Sequence, residues 1–440
     1  MKIYFFIKVL FFAVLINNIL ADEYADKLDK IVNEYNNIGM FSGNVMVAKD
    51  GNIVYEKQFG YADWEKKTPV TPETLFRIGS LNKMFTNAMI KQLEKENKLS
   101  LEDPLSKYLN LYPKETGDKI TIKMLLEMKA GLGDYGMDPA FNSDKTRFRS
   151  VNDFLEIIKN EPLLFEPGTG QEYSNSGYVV LGGIIEKVTG KSYKENLEER
   201  FLKPLGMSNT HYLLLGEAVP NMSQGTMITF NGDKRTSKEI EMVSPAGGMY
   251  SNARDLLKFD TELRKTGLVS AGIRAGGTPV WNSILAQLKD GYTIIINSNF
   301  GNLADGIINR FMDDLQNKPY PPVNYPFSMK LYKALNESGA EGLKAQFRTL
   351  LEEEGMEYAA FHLNMFGYEL LSAGELDKAI VVFNLNTELF PQNPNVWDSL
   401  GEAYMNKGNN ELAIANYRKC LELDPNNLNA KKMLEKLGAK

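Results

Sequence analysis

One cysteine, Cys420, and two histidines, His211 and His362, are all that a chain of 440 residues offers of these types. A single thiol excludes a disulfide framework, and so few soft or imidazole ligands leave no cluster to hold zinc; no cofactor and no metal is expected. A Ser-His-Asp triad is not excluded by two histidines, but neither stands in a nucleophile-elbow setting. Long runs of one charge sign are also missing. Lys and Arg number 50 against 56 Asp and Glu, a net charge of −6, so no nucleic-acid-binding surface is foreseen. What is abundant is apolar. With 43% hydrophobic and 24% charged residues the chain reads as soluble and globular, and its length calls for two or three domains.

Only one hydrophobic run is long, and it stands at the start: MKIYFFIKVLFFAVLINNILA. A lysine opens it and acidic residues follow Ala21, the layout of a secretory signal peptide over residues 1–21. An uncleaved anchor is the competing reading, and Lys8 inside the run favours the signal. No cysteine follows for lipid attachment. The expectation is a secreted or periplasmic protein with no integral membrane domain once the signal is removed.

Residues 22–318 mix strand and helix patterns. NVMVAKDGNIVYEKQFG turns at Asp50-Gly51, and NSILAQLKDGYTIIINSN turns at Asp290-Gly291, two hairpin signals at opposite ends of the region. Strands early and late with helices between predict an α+β fold, an antiparallel sheet closed by sequence-distant strands and flanked by helices. Pro319, Pro321, Pro322 and Pro326 mark a linker over 319–327. Residues 328–440 then read as all-α. A shift of 34 pairs Gly367 with Gly401, Gly374 with Gly408, Ala379 with Ala413, Phe383 with Tyr417 and Pro391 with Pro425, the register of tetratricopeptide repeats at about 357–390 and 391–424. Residues 328–354 read as a further, degenerate helical pair. Repeats of this kind imply a protein partner, and His362 and Cys420 within them imply packing or surface roles.

The chemistry is carried by FRIGSLNKMFT, residues 76–86. Ser80 and Lys83 share a helical face with residues that look buried, where an ammonium is costly unless paired or used. S-x-x-K alone is a weak signal, and a snorkelling lysine near a capping serine is the bland alternative. Downstream stand Tyr173-Ser174-Asn175 in QEYSNSGYVVLGG and a glycine-rich strand entering a helix in SPAGGMYSNARDLLKF. Together these pieces resemble the serine β-lactamase and penicillin-binding-protein superfamily, especially its class C-like and esterase members, from about Phe41 to Phe300. The resemblance implies an acylated Ser80, Lys83 sharing its proton, Tyr173 as proton shuttle and Asn175 holding lysine and substrate. It also implies an α/β subdomain beside a helical one.

Three departures accompany the resemblance. Where the family has Lys-Thr-Gly or His-x-Gly, this chain has Arg274-Ala275-Gly276, with Gly276 and Gly277 lining the site and the Gly277 and Ser80 N–H groups forming an oxyanion hole by analogy. Arg274 is either a reader of substrate carboxylate or a surface residue at a chain junction. Between the helix ending near Arg264 and Ala275 the family carries a longer stretch, including a strand, which threatens unpaired ladder groups here. Met128-Lys129-Ala130-Gly131 replaces His-Thr-Ser-Gly in a loop near the site. Two functions stay open: a serine hydrolase acting on a small-molecule or peptide substrate (an ester, a D-amino-acid peptide or a β-lactam), or a degenerate scaffold whose repeats act as an interaction module.

Overall fold

The structure is a computed structural model that describes residues 23–238, 240, 242–354 and 359–439; the expected signal peptide, 1–21, lies outside the described residues. No helix among them is long and apolar enough to cross a membrane. The chain divides into two compact units. The first runs to Met227 and resumes over Arg235–Val323; the second comprises Ile228–Lys234 and Asn324–Lys440.

A five-stranded antiparallel sheet organises the first unit. Its strands are β1 (Gly43–Lys49), β2 (Asn52–Phe59), β3 (Ile273–Thr278), β4 (Trp281–Gln287) and β5 (Tyr292–Ser298), in the spatial order β2-β1-β5-β4-β3. The first and last strands in sequence lie side by side, with Met46 opposite Ile295. Both expected hairpins form: Asp50 and Gly51 (φ 50° and 79°) and Asp290 and Gly291 (φ 56° and 78°) adopt the left-handed backbone that tight hairpin turns require. Every residue of β4 and β5 is buried, because helices cover the sheet: α4 (Ala253–Thr266) packs on β1 and β5, and α5 (Leu303–Leu315) on β4 and β5. Strands covered on both faces read as continuous apolar runs, as SILA and YTIII do.

The shortened stretch opens no gap in this sheet. The chain leaves α4 through Gly267 and enters β3 at Ile273, and β3 is an edge strand paired with β4 from Trp281–Thr278 to Ala286–Ile273. An edge strand needs only one neighbour, so no interior ladder is left unpaired.

Helix α2 (Asn82–Lys95), the long helix that follows α1 at residues 23–37, fills the space beneath the sheet, buried almost all round, with Phe85 stacked on Phe259 at 3.7 Å. Its three buried polar side chains answer three consecutive carbonyls of the glycine-rich segment. Asn82 Nδ2 donates to Ser244 O at 2.6 Å, Thr86 Oγ1 to Pro245 O at 2.6 Å and Lys83 Nζ to Ala246 O at 2.7 Å. The loop is thereby fixed to the helix by its own backbone.

Among the described residues, the C-terminal part of the second unit is built of helices. Phe327–Glu354 is two helical segments meeting at Gly339 (φ 62°, ψ −152°), and the repeats follow as Ala359–Ser372 with Leu376–Leu389 and Pro394–Asn406 with Asn410–Leu423. Their glycines mark the tightest helix contacts. A Cβ at Gly367 would fall 2.5 Å from the Phe383 ring, and one at Gly401 3.0 Å from Tyr417. Cys420 is buried with Ala413 and Tyr417, and His362 meets the rings of Phe327 and Phe361. Phe230, from the inserted Ile228–Lys234, lies in the core of this unit against Tyr332.

From these contacts Gly367→Ala should destabilise the helical unit by about 1–3 kcal/mol, the range for overpacking, and Gly401→Ala by less. Denaturant midpoints followed by circular dichroism check the order; a smaller loss at 367 than at 401 would contradict the packing described.

Candidate active site

Ser80 lies in a single 3-10 turn, Gly79–Leu81, that runs directly into α2, so the serine stands just ahead of the helix and Lys83, three residues on, lies in its first turn. The flanking Phe76, Ile78, Met84 and Phe85 are all buried, which fixes the face that serine and lysine share. Lys83 Nζ is 3.1 Å from Ser80 Oγ, and Tyr173 Oη is 2.6 Å from the same oxygen.

Lys83 is 7% exposed. Its Nζ meets three acceptors: Asn175 Oδ1 at 2.6 Å, Ala246 O at 2.7 Å and Ser80 Oγ at 3.1 Å. As an ammonium it can serve all three. Burial lowers its pKa to about 7, against the opposing charge of Asp134, so near neutral pH the amine also exists uncharged with two hydrogens and a lone pair. The two short contacts take the hydrogens and cannot take the lone pair. That leaves the lone pair facing Ser80 Oγ, the geometry in which an amine accepts a serine proton. The depression comes from desolvation. Tyr173 differs. Its ring is half exposed while its phenol faces Ser80, and burial raises its pKa above the ordinary value, so it remains a phenol where Lys83 is already a base.

Tyr173 and Asn175 arrive from the start of helix α3 (Asn175–Thr189), and that start is tied to a loop. Ser174 Oγ donates to Gly133 O at 2.7 Å, Asn175 Nδ2 to Asp134 Oδ2 at 2.6 Å, and Tyr135 N to Ser176 Oγ at 2.8 Å. Three consecutive helix residues thus hold three consecutive loop residues. Sequence reasoning missed Asp134, whose only signal was a turn-like GLGDYG, and missed the Ala246 carbonyl, which no residue type announces.

Gly276 and Gly277 come in on β3. A Cβ at Gly276 would sit 2.0 Å from Ile78 O and 2.6 Å from Ser80 N, so strand and turn touch backbone to backbone. Ser80, Asn175, Gly277, Asp134 and the buried Arg77 line a cavity of about 330 Å³. A smaller one, about 190 Å³, is lined by Ser80, Lys83, Tyr173, Met128 and Arg274. The structure thus brings Lys83, Tyr173, Asn175, Gly276 and Gly277 around Ser80 and places Arg274 in the smaller cavity beside it, where its guanidinium donates to Ser270 O at 2.7 Å.

Comparison with known proteins shows the family and the fold. The beta-lactamase family model matches residues 25–288 and a tetratricopeptide repeat model residues 394–427. Penicillin-binding protein 4* of Bacillus subtilis is 30% identical over 270 residues, 58% of each chain. The teichoic acid D-alanine hydrolase of Staphylococcus aureus is 29% identical over 245 residues, 56% of this chain and 59% of that protein. The match thus spans less than two thirds of these relatives. A penicillin binding protein from Bacillus halodurans shares the fold, with a TM-score of 0.59 and 22% identity over 65% of this chain and 98% of that one. Residues 25–288 place the chain in the beta-lactamase family, and a tetratricopeptide repeat region follows them.

Proposed function

We propose that the first unit is a serine hydrolase that forms an acyl-enzyme at Ser80. One observation carries this: Lys83 Nζ lies 2.6 Å from Asn175 Oδ1, 2.7 Å from Ala246 O and 3.1 Å from Ser80 Oγ, so a neutral amine that gives its two hydrogens to the short contacts turns its lone pair to the serine. In the first step the Ser80 proton passes to Lys83 Nζ as Oγ bonds to the substrate carbonyl carbon. The N–H groups of Ser80 and Gly277 receive the oxyanion. Tyr173, at 2.6 Å from Oγ, then passes its phenolic proton to the leaving group as the bond from that group to carbon breaks, and takes up the proton held on Lys83, which leaves the amine neutral again. Water reverses the sequence to release the acid. The substrate class is an ester, a D-amino-acid peptide or a β-lactam, and kinship with a teichoic acid D-alanine hydrolase favours D-alanyl esters among them. We place this activity outside the cytoplasm, and the repeats in the binding of a protein partner.

The site residues generate three expected outcomes. A fluorophosphonate should add to Ser80 and to no other serine, read by intact mass and peptide mapping beside Ser80→Ala. A folded protein that stays unlabelled would leave the scaffold reading in its place. The labelling rate should climb between about pH 6 and 8 and level off above, since Lys83 is depressed to about 7 and works only when neutral. A rate flat across that window would remove Lys83 as the base. Finally, Arg274→Ala should weaken turnover of carboxylate-bearing substrates by about 1.5–3 kcal/mol more than of matched neutral esters. Equal losses on both would show that Arg274 does not read a carboxylate.

A further inference from the structure

We infer that Asp134 is a positioning residue for the proposed base, holding the Asn175 amide in the one orientation that aims the Lys83 lone pair at Ser80. The inference rests on the reading of Ser80 as nucleophile. A carboxylate accepts hydrogen bonds and cannot donate them, so Asp134 Oδ2, 2.6 Å from Asn175 Nδ2, compels Asn175 to present its NH2 to the loop and its carbonyl to Lys83. The other carboxylate oxygen is held by the Gly136 N–H at 2.8 Å, so the group cannot rotate freely. If the amide turned over, its NH2 would face Lys83 Nζ. A neutral amine would then spend its lone pair on Asn175, and Ser80 would lose its base. No sequence motif marks this role, and the contact is direct only to Asn175.

The variant Asp134→Asn makes the alternative real. Its carbonyl keeps the Gly136 bond, which sets its own NH2 against that of Asn175, and two donors facing each other drive Asn175 to flip. The charge effect runs the other way. Asp134 stabilises the Lys83 ammonium, so removing the negative charge lowers the Lys83 pKa and makes more neutral amine available at pH 7. An electrostatic role alone therefore predicts a variant as fast as wild type or faster; a positioning role predicts a slower one.

Other groups around the pair must be separated. Tyr173 and Tyr178 present their rings to Lys83 at 4.8 and 5.6 Å, and Arg274 shares its cavity. Glu161, bonded to Ser176 Oγ at 3.1 Å, is raised by burial to about 7 and would titrate in the same range. Glu161→Gln removes that second titration.

The experiment uses the full chain in wild-type, Asp134→Asn, Asp134→Glu and Glu161→Gln forms. Two quantities are followed against pH: fluorophosphonate labelling of Ser80, and the Lys83 midpoint by NMR of ε-13C lysine, assigned with Lys83→Arg. In Asp134→Asn the midpoint should move to lower pH while the high-pH labelling rate falls on the order of a hundredfold, the cost of a misplaced reacting group. Asp134→Glu, still an acceptor, should recover part of the rate. A lowered midpoint with undiminished labelling would overturn the positioning role, and so would a Glu variant no faster than the Asn one. An unchanged midpoint would overturn any link between Asp134 and Lys83. Should wild-type Ser80 stay unlabelled, the nucleophile reading fails by itself, and the NMR midpoint still decides whether Asp134 is coupled to the amine.

Discussion

An amine taken out of water gives up its charge unless something nearby compensates for the lost hydration. At Lys83 the compensation is partial by construction: two neutral carbonyl oxygens and a hydroxyl approach Nζ, and the nearest carboxylate, Asp134, stands one residue further off behind Asn175. A carboxylate in direct contact would have kept the ammonium and left no neutral amine near pH 7. The surrounding fold can be understood as serving this arrangement. Helix α2 is buried so that its first turn is dry, the glycine-rich loop is lashed to it by three carbonyls, and the start of α3 is lashed to the loop at 133–135. A site tuned this way lowers stability, since below the unfolded-state pKa of lysine the folded protein holds its proton less tightly than the unfolded chain does.

Much of this was legible in the sequence because it depends on residue type at fixed spacing. The hairpins at Asp50-Gly51 and Asp290-Gly291 are local, so backbone chemistry alone announces them. The repeat register is local as well: a glycine opposite an aromatic, Gly367 with Phe383 and Gly401 with Tyr417, recurs because each helix pair solves the same close approach. Ser80, Lys83, Tyr173 and Asn175 were legible through their motifs. What stayed hidden is of another kind. Asp134 acts through a second residue, and the carbonyl of Ala246 acts through its backbone, so neither leaves a mark in a list of side chains. The shortened stretch looked damaging from sequence because nothing there says that the following strand is an edge.

The two units also obey different constraints. In the first, sequence-distant strands pair and a helix lies buried beneath them, so nearly every contact that shapes the site is long-range. The second is assembled from neighbouring helices, each packing mainly on the next, which is why its pattern survives as a repeat. The first unit gathers a few polar atoms around a buried lysine, and the second offers surface in modular increments.

The contact between Gly276 and the serine turn carries one last implication. Because Ile78 O and Ser80 N leave no room for a side chain at position 276, the edge strand is located by backbone against backbone and not by the segment that leads into it. The approach to that strand is therefore free to shorten or lengthen without moving the wall of the site. A shorter stretch between α4 and β3 thus leaves Gly276 seated against the Ser80 turn, with the difference confined to the surface loop that leads into the strand.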